Sequence, residues 1–537
     1  MRRSFGMTTF RLLFITLLLG ACASAGTVRT PADAGITFIH LNDTYRVGAV
    51  EDDQRGGFGR VTTVVRQALA EGRDVRVLHG GDFLYPSLES QLWGGEQMVE
   101  AFNFMHRLAP MTVVPGNHEF DPRSPETLVA ALRGSEFAWL ADNLALATGD
   151  AEADARLRQA HVAEIGGRRV GMFALTLLPD DGGNERDYLA YEPGYVEQAE
   201  NAIVALEQAG AELIVGITHL HVGDDLEIAK LKASHPRFQF IVGGHEHEPE
   251  HHPGSAAAAE VMKGASNARQ VWRIDVDFDA SGMPAISTRM LDLDASVPLD
   301  AEYQPIADRW RARLVETIPF LPARIGEAAV PLDGREVTVR NEESNLGNFI
   351  VDQMRTAFGS PPADLALINS GTLRIDDYVA DDITFEDIAR VFAFSSYLRY
   401  LDMSGGEFRA TLEAGYRGTG PSKGYFPQVS GFRVCVDRSR PDGERVVQLQ
   451  VPAGTGWAEI EPERLYSVVA PDFILRGGDG YAFPENRPRS RPGSELKYLV
   501  LDAIIRAQAA GEPVGAPVDP SNPRIAFVTA PGGRCFD

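Results

Sequence analysis

The chain has little positive charge relative to its negative charge, and this restricts its possible partners. Its 51 lysine and arginine residues stand against 75 aspartate and glutamate residues, a formal net charge of −24 at pH 7. This charge argues against a nucleic-acid polymer or an anionic membrane surface as the main partner. It does not exclude small phosphate-bearing ligands, because metal ions and arginines gathered in one cleft can reverse the local field.

Cysteine is nearly absent, with three residues in a chain of 537. Beyond Cys22, only Cys435 and Cys535 remain. In an exported chain two such cysteines can form a disulfide, but two separate free thiols fit the sequence equally well. No serine or cysteine stands out as a covalent nucleophile.

A short apolar run near the N-terminus has the pattern of an export leader. Leu12–Leu19 is too short to span a bilayer, and basic residues precede it at Arg2, Arg3 and Arg11. The following Leu19–Cys22 resembles the lipobox of bacterial lipoproteins, which predicts a signal peptide over 1–21 and lipidation of Cys22. A flexible tether is expected over 22–35. The protein would then lie on the periplasmic side of the outer membrane or on the cell surface, with the lipid anchor as its only membrane contact. A plain secretory signal cleaved nearby is the alternative.

The length of the chain is too great for one ordinary core and favours two domains. Short apolar runs alternate with helical patterns such as Arg60–Glu71 and Val196–Gln208, which indicates an α/β fold. The sequence predicts one domain over 36–297, a helical connector over 298–323 and a second α/β domain over 324–537. Five predicted strands of the first domain are Ile36–Ile39, Val75–Leu78, Met111–Val114, Leu213–Ile217 and Phe240–Val242.

Polar residues with side chains that can bind metals or transfer protons follow directly after each of these strands. The segments are Asn42–Asp43, Gly80–Asp82, Pro115–Glu119, Thr218–His219 and Gly243–His247. Functional sites gather at the carboxyl ends of strands in α/β sheets, so we expect these segments to meet. The candidate metal ligands among them are Asp43, Asp82, Asn117, His219, His245 and His247. This mixture of oxygen and nitrogen donors without cysteine suits Mn²⁺, Zn²⁺, Fe²⁺ or Co²⁺.

The order of these motifs resembles the calcineurin-type metallophosphoesterases and, within them, the 5′-nucleotidase family, which includes periplasmic UDP-sugar hydrolases. The resemblance implies a four-layer αββα sandwich, a helical connector and a C-terminal α/β nucleotide-binding domain. It implies two divalent metal ions, with Asp82 bridging them and His118, paired with Asp121, stabilising the transition state. Asp43 and His247 would hold one ion. Asn117, His219 and His245 would hold the other.

One position departs from the family pattern. The family usually has Asp-x-His at the first motif, where this chain has Asp43-Thr44-Tyr45. The hydroxyl of a tyrosine is neutral at pH 7 and is then a poor metal ligand. We therefore expect the first ion to bind more weakly or to exchange more readily.

The second half resembles the family's nucleotide-binding domain. By this resemblance Arg340 and Arg374 would bind phosphate oxygens, with Asn369 beside them. The base would lie between Phe426 and Phe473, and Asp479 would bind the ribose. Ser370 and Thr372 replace glycines that are frequent in the family, which leaves the phosphate geometry open.

The expected activity is metal-dependent hydrolysis of nucleotide phosphate esters, of the 5′-nucleotidase or UDP-sugar hydrolase type. The expected substrates are small nucleotides or nucleotide sugars. The alternatives are a 2′,3′-cyclic-nucleotide phosphodiesterase with 3′-nucleotidase activity, a sulfur-oxidation hydrolase, or a nucleotide-binding surface lipoprotein with little catalysis.

Overall fold

The structure, a computed structural model, describes residues 35–178, 186–280, 282–418, 423–485 and 490–536. The predicted signal peptide, Cys22 and nearly all of the expected tether lie outside these residues. Within them, none of the helices combines the length and apolar character needed to cross a membrane.

Two β-sheets form the centre of the first half. In the described residues the strands of the first sheet are, in spatial order, Pro284–Asp292, Gln270–Phe278, Ile36–Leu41, Asp74–His79, Met111–Val113, Ala138–Leu140 and Leu157–Arg158. Those of the second are Glu250–His252, Glu260–Lys263, Phe238–Gly243, Leu213–His219, Arg168–Thr176 and His161–Ile165. A small hairpin pairs Leu144–Leu146 with Leu189–Tyr191. The central strands run parallel, so their carboxyl ends share one edge of each sheet.

The two sheets pack face to face through fully buried apolar residues. Phe38 of one sheet meets Phe240 of the other, with ring centroids 5.7 Å apart, and Val215 and Ile274 lie in the same layer. Burying each such side chain contributes about 1.5–3 kcal/mol. Helices cover both outer faces, which confirms the predicted αββα layering. The helices are Phe58–Ala70, Leu88–Trp93, Glu96–Leu108, Glu126–Gly134, Ala151–Asp154, Tyr195–Gln208 and Val222–Ala229.

The helix Gln304–Thr317 leads out of the first half and packs Trp310 and Leu314 against it. The second half has a five-stranded and a four-stranded sheet in the residues described. The first contains Pro427–Ser430, Leu365–Asn369, Leu465–Pro471, Tyr397–Ser404 and Arg491–Glu495, and the second Gly456–Glu459, Val446–Ala453, Arg433–Val436 and Ile525–Phe527. Two short ladders pair Arg324–Glu327 with Asp382–Thr384 and Leu332–Asp333 with Tyr378–Val379. The helices are Glu336–Val339, Asn345–Thr356, Phe385–Val391, Gly405–Glu413, Asp472–Leu475 and Leu496–Ala510.

The structure decides between a disulfide and two free thiols for the two cysteines of the second half. Cys435 and Cys535 form a disulfide, with their Cα atoms 5.5 Å apart. The bond ties the C-terminal segment to the four-stranded sheet, since Cys435 lies on Arg433–Val436. The predicted domain boundaries stay predictions.

Candidate metal centre and substrate site

The structure brings the six predicted metal ligands together at the carboxyl ends of the parallel strands. Asp43 follows Ile36–Leu41, Asp82 follows Asp74–His79, Asn117 follows Met111–Val113, His219 ends Leu213–His219, and His245 and His247 follow Phe238–Gly243. These loops come from both sheets, so the site lies across the top of the sandwich. The sandwich geometry therefore explains why residues far apart in sequence converge.

A first group of donors surrounds the carboxylate of Asp43. The donor atoms of Asp43, Asp82 and His247 all lie within 4.8 Å of one another. The Nε2 atom of His247 is 3.2 Å from Oδ1 of Asp43. All three side chains are buried, so the carboxylates of Asp43 and Asp82 are shielded from water.

A second group shares Asp82 with the first. The Nε2 atom of His219 lies 3.0 Å from Oδ1 of Asn117 and 3.3 Å from Oδ2 of Asp82. The Nδ1 atom of His245 lies 3.3 Å from Oδ1 of Asn117. The two adjacent groups of donors therefore have one carboxylate, that of Asp82, in common.

The hydrogen bonds of the histidines test whether these residues fit a metal ion. The Nδ1–H of His219 donates to the carbonyl oxygen of Gly80 over 2.6 Å, so Nε2 is left to direct its lone pair at the oxygens of Asn117 and Asp82. The lone pairs of a histidine Nε2 atom and of nearby carboxylate and amide oxygens can all bind one divalent cation. In metal sites a hydrogen bond from the Nδ1–H group of the histidine fixes the orientation of its ring. The residues therefore fit divalent metal.

Four of the eleven non-glycine residues with positive φ in the described part of the chain are predicted ligands. Positive φ angles occur at Asp43 (49°), Asp82 (59°), His245 (90°) and His247 (64°). For residues other than glycine this conformation is uncommon, and it persists where function requires it. Four of the six predicted ligands share this feature, which agrees with their assignment to one functional site.

Glu119 fixes two of these loops relative to each other. Its carboxylate accepts the backbone N–H groups of Asp82 (3.0 Å), Phe83 (2.8 Å) and Leu84 (2.9 Å), and also that of Gly116. A side chain at Gly116 would collide with the Asp82 carboxylate, so only glycine allows this approach. Glu119 thus positions the shared carboxylate without being a donor itself.

Tyr45 lies inside the site and not in the surrounding core. Its hydroxyl is 2.9 Å from Nε2 of His247 and 3.4 Å from Oδ1 of Asp43. Burial and the nearby Asp82 carboxylate raise the pKa of Tyr45 well above its ordinary value, so the phenol stays neutral. Its expected effect on the first ion stays a prediction.

The predicted pair of His118 and Asp121 borders the donors. The Nδ1 atom of His118 lies 2.8 Å from Oδ2 of Asp121, and its Nε2 atom lies 4.0 Å from Oδ2 of Asp82. Burial would lower the pKa of His118, but the carboxylates of Asp121 and Asp82 raise it above the ordinary value. His118 can therefore carry a proton on Nε2, next to the donors.

The two predicted phosphate-binding arginines come from the second half of the chain. Arg374 lies with its guanidinium carbon 5.2 Å from the centre of the Tyr45 ring, and Arg340 donates to Oε1 of Glu336 over 2.5 Å. Among the described residues, Nη2 of Arg374 and Nε of Arg340 are buried without a hydrogen-bond partner. Buried donors left unsatisfied cost about 1–3 kcal/mol each, which an anionic ligand would offset.

The predicted nucleoside-binding residues divide into two sets. Asn369 donates through Nδ2 to Oδ2 of Asp479 over 2.7 Å, and the ring of Phe473 lies half-buried beside Gly478. Phe426 is instead 4% exposed, packed between Tyr416 and Phe527 in the core. Phe426 also borders a cavity together with Arg340 and Tyr425, and its predicted role as one face of a base clamp stays a prediction.

Sequence reasoning missed two residues of the site. Phe394 is half-buried, with its ring 5.6 Å from that of His118 and 5.8 Å from the Arg374 guanidinium carbon. Glu336 bonds His247 from the other half of the chain. No motif signals either one, since a single glutamate or phenylalanine carries no spacing pattern.

Known proteins share both halves of this architecture. The sequence model of the calcineurin-like phosphoesterases matches residues 36–249, and that of the 5′-nucleotidase C-terminal domain matches residues 324–485. The 5′-nucleotidase of Mus musculus is 27% identical over 522 residues, which cover 88% of this chain and 88% of that protein. The trifunctional nucleotide phosphoesterase protein YfkN of Bacillus subtilis is 26% identical over 86% of this chain, which spans only 33% of YfkN.

A solved structure extends the likeness to three dimensions. The 5′-nucleotidase precursor from Thermus thermophilus has a TM-score of 0.79 and 27% identity, covering 93% of this chain and 100% of that one. The fold and the donor set together define a phosphoric-ester hydrolase that uses divalent metal. The chain belongs to the 5′-nucleotidase family, in which a phosphoesterase domain is followed by the family's C-terminal domain. Nucleotide phosphate esters are the substrate class that this membership supports.

Proposed function

We propose that the chain is an exported two-metal 5′-nucleotidase that also accepts nucleotide sugars. The observation that carries the proposal is the position of Asp82 between two donor groups, one with Asp43 and His247 and one with Asn117 and His219. A bridging carboxylate is what a dinuclear centre requires. The preference for nucleotides is supported by relatives that match both halves of the chain, among them the 5′-nucleotidase of Mus musculus and the 5′-nucleotidase precursor of Thermus thermophilus.

The donor groups would divide two ions between them. Asp43 and His247 would hold one, Asn117, His219 and His245 would hold the other, and Asp82 would contact both. Such ions supply Lewis-acid charge for phosphoryl oxygens and lower the pKa of water toward neutrality. The donor set suits Mn²⁺, Zn²⁺, Co²⁺ or Fe²⁺.

The remaining residues would bind and orient the substrate. His118, held by Asp121, would donate from Nε2 to a phosphoryl oxygen and so stabilise charge that develops in the transition state. Arg374 and Arg340 have unsatisfied buried donors for the phosphate. Phe426 and Phe473 would hold the base between two aromatic faces, and Phe394 adds a half-buried ring beside His118. Asp479, held by Asn369, would accept ribose hydroxyls.

The place of action would be outside the cytoplasm. The leader pattern ending in Cys22 supports an outer-membrane or surface lipoprotein. Intact-mass analysis of the membrane fraction tests this, since a diacylated Cys22 at the N-terminus is expected and an unmodified mature chain would rule it out.

A panel of substrates tests the activity. Purified protein would be assayed with AMP, UDP-glucose, a 2′,3′-cyclic nucleotide and an aryl phosphate, with and without Mn²⁺. We expect AMP to be hydrolysed fastest, with activity lost after chelation and in Asp82→Asn. Hydrolysis mainly of the cyclic nucleotide would instead favour the phosphodiesterase alternative, and no turnover with any metal would favour the binding lipoprotein.

A further inference from the structure

His79 is a fully buried histidine that none of the metal-binding or catalytic roles described above uses. It ends the strand Asp74–His79, three residues before Asp82. Its ring packs against those of Phe83 and Phe102, with centroids 5.4 Å and 4.8 Å away. Packing alone does not account for a histidine here, because burying two polar ring nitrogens is unfavourable unless they are hydrogen-bonded.

Both ring nitrogens of His79 bond to loops of the metal centre. The backbone N–H of Gly81 donates to Nδ1 over 3.1 Å, and Nε2 lies 2.8 Å from Oγ1 of Thr44. A backbone N–H can only donate, so Nδ1 must accept, and the proton of the neutral ring lies on Nε2 and is donated to Thr44. His79 therefore joins the loop of Asp43 to the loop of Asp82 in one fixed tautomer.

Backbone hydrogen bonds close this connection into a cycle. The N–H of Asp43 donates to the carbonyl oxygen of Gly81, and that of Thr44 donates to the carbonyl oxygen of Asp82, each over 3.0 Å. The imidazole of His79 lies across the same two segments. The two loops are thus connected by the backbone at two points and by one side chain at two more, which fixes their relative position.

The cycle opposes a repulsion within the metal centre. Donor oxygens of Asp43 and Asp82 belong to a group whose atoms all lie within 4.8 Å of one another, and both side chains are buried. Two ionised carboxylates at this distance repel each other, and the repulsion is stronger where water is excluded. Without a connection between the loops, the carboxylates would move apart and the space for the cations would widen.

We propose that His79 and Thr44 are positioning residues that hold Asp43 and the shared carboxylate of Asp82 at the separation that two divalent cations need. The inference rests on the proposed function, because it assumes that Asp82 contacts both ions. Both residues act through the loops and would not touch the cations themselves. His79 supplies one acceptor and one donor, and Thr44 supplies its hydroxyl.

Mn²⁺ binding to chelator-treated protein, measured by isothermal titration calorimetry, tests the connection without turnover. His79→Phe keeps an aromatic ring but removes both hydrogen bonds, and we expect at least about tenfold weaker binding. Thr44→Val, which is close to threonine in shape, removes one bond and should weaken binding by about three- to tenfold. Thr44→Ser keeps the hydroxyl and should bind Mn²⁺ as the wild type does.

Thr62→Val is the matched control. It also removes the hydroxyl of a buried threonine, but that hydroxyl donates to the carbonyl oxygen of Phe58 within a helix. We expect wild-type Mn²⁺ affinity in this variant. The comparison separates the loss of a buried hydrogen bond in general from the loss of the bond to His79.

The double variant His79→Phe/Thr44→Val distinguishes one connection from two independent effects. If His79 acts through Thr44, the second change adds little, and the double variant should bind Mn²⁺ within about twofold of His79→Phe. The Thr44 variants keep the test valid if His79→Phe does not fold. Losses that multiply in the double variant, wild-type affinity in Thr44→Val, or an equal loss in Thr44→Ser or Thr62→Val would overturn the inference while leaving the proposed function intact. Absence of Mn²⁺ binding in the wild type would overturn the proposed two-metal function and this inference with it.

Discussion

The Nδ1 atom of His247 lies 2.5 Å from Oε2 of Glu336, so a buried carboxylate of the C-terminal half orients a candidate ligand of the N-terminal half. The bond leaves Nε2 of His247 directed at Asp43. Arg340 lowers the pKa of Glu336 far below its ordinary range despite the opposing effect of burial, so this acceptor stays ionised. Metal binding and the contact between the two halves are therefore expected to support each other.

Replacing Glu336 should weaken metal binding. Loss of the hydrogen-bond partner of a ligating histidine typically costs 10–100-fold in metal affinity. We expect Glu336→Gln to weaken Mn²⁺ binding by about tenfold, measured by calorimetry on chelator-treated protein. Glu342→Gln, an exposed change on the same segment, should have no effect. Unchanged affinity in Glu336→Gln would show that the bond does not position His247.

Removing the Asp121 carboxylate should change the pH dependence of the reaction. The pKa of His118 is raised by Asp121 and Asp82 against the effect of burial, so its proton is present below that pKa and lost as pH rises through it. In Asp121→Asn the pKa falls, and the alkaline limb of kcat/KM should move to lower pH by about 1 unit. Asp187→Asn, at an exposed position, should keep the wild-type profile. An unmoved limb in Asp121→Asn would contradict the assignment of His118 as the proton donor.

Phe394 and Phe426 should both affect nucleotide binding but differ in their effect on stability. Phe394→Ala should raise KM for AMP about three- to tenfold with little change for an aryl phosphate, because stacking contributes about 0.5–1.5 kcal/mol. Phe426→Ala should also raise this KM and should in addition lower the free energy of unfolding by about 3–5 kcal/mol, because it opens a cavity in the core. Urea denaturation and steady-state kinetics on both variants measure this. An unchanged KM for AMP in Phe426→Ala would contradict its predicted place in the base clamp.

The loops that carry His219 and His245 depend on a buried lysine. Lys263 donates to the carbonyl oxygens of Leu220 (2.6 Å) and Gly244 (2.9 Å) and pairs with Asp225 (2.8 Å) and Glu246 (2.5 Å). Removing one partner from such a buried network costs about 3–5 kcal/mol, because the remaining charges lose their compensation.

Urea denaturation should therefore show that Lys263→Met lowers the free energy of unfolding by about 3–5 kcal/mol. Lys230→Met, which removes an exposed pair with Glu227, should cost less than about 1 kcal/mol. Similar losses in the two variants would mean that the Lys263 network contributes no more than a surface pair.

The sequence predicted the first half of the site better than the second, for a physical reason. Asp43, Asp82 and His219 follow apolar strands, and the parallel arrangement of those strands brings their carboxyl ends together. The contacts of Glu336 and Phe394 depend on how the two halves pack, which local periodicity does not encode. The sequence alone does not decide the role of Phe426 for the same reason, since an apolar ring before a strand fits a core and a binding site equally well.

The most direct test of the account is a crystal structure of the protein grown with Mn²⁺ and measured at an anomalous wavelength. The account predicts two anomalous peaks, about 3.5–4 Å apart, with a carboxylate oxygen of Asp82 contacting each. A single peak away from Asp82, or no peak among Asp43, Asn117, His219 and His245, would contradict it.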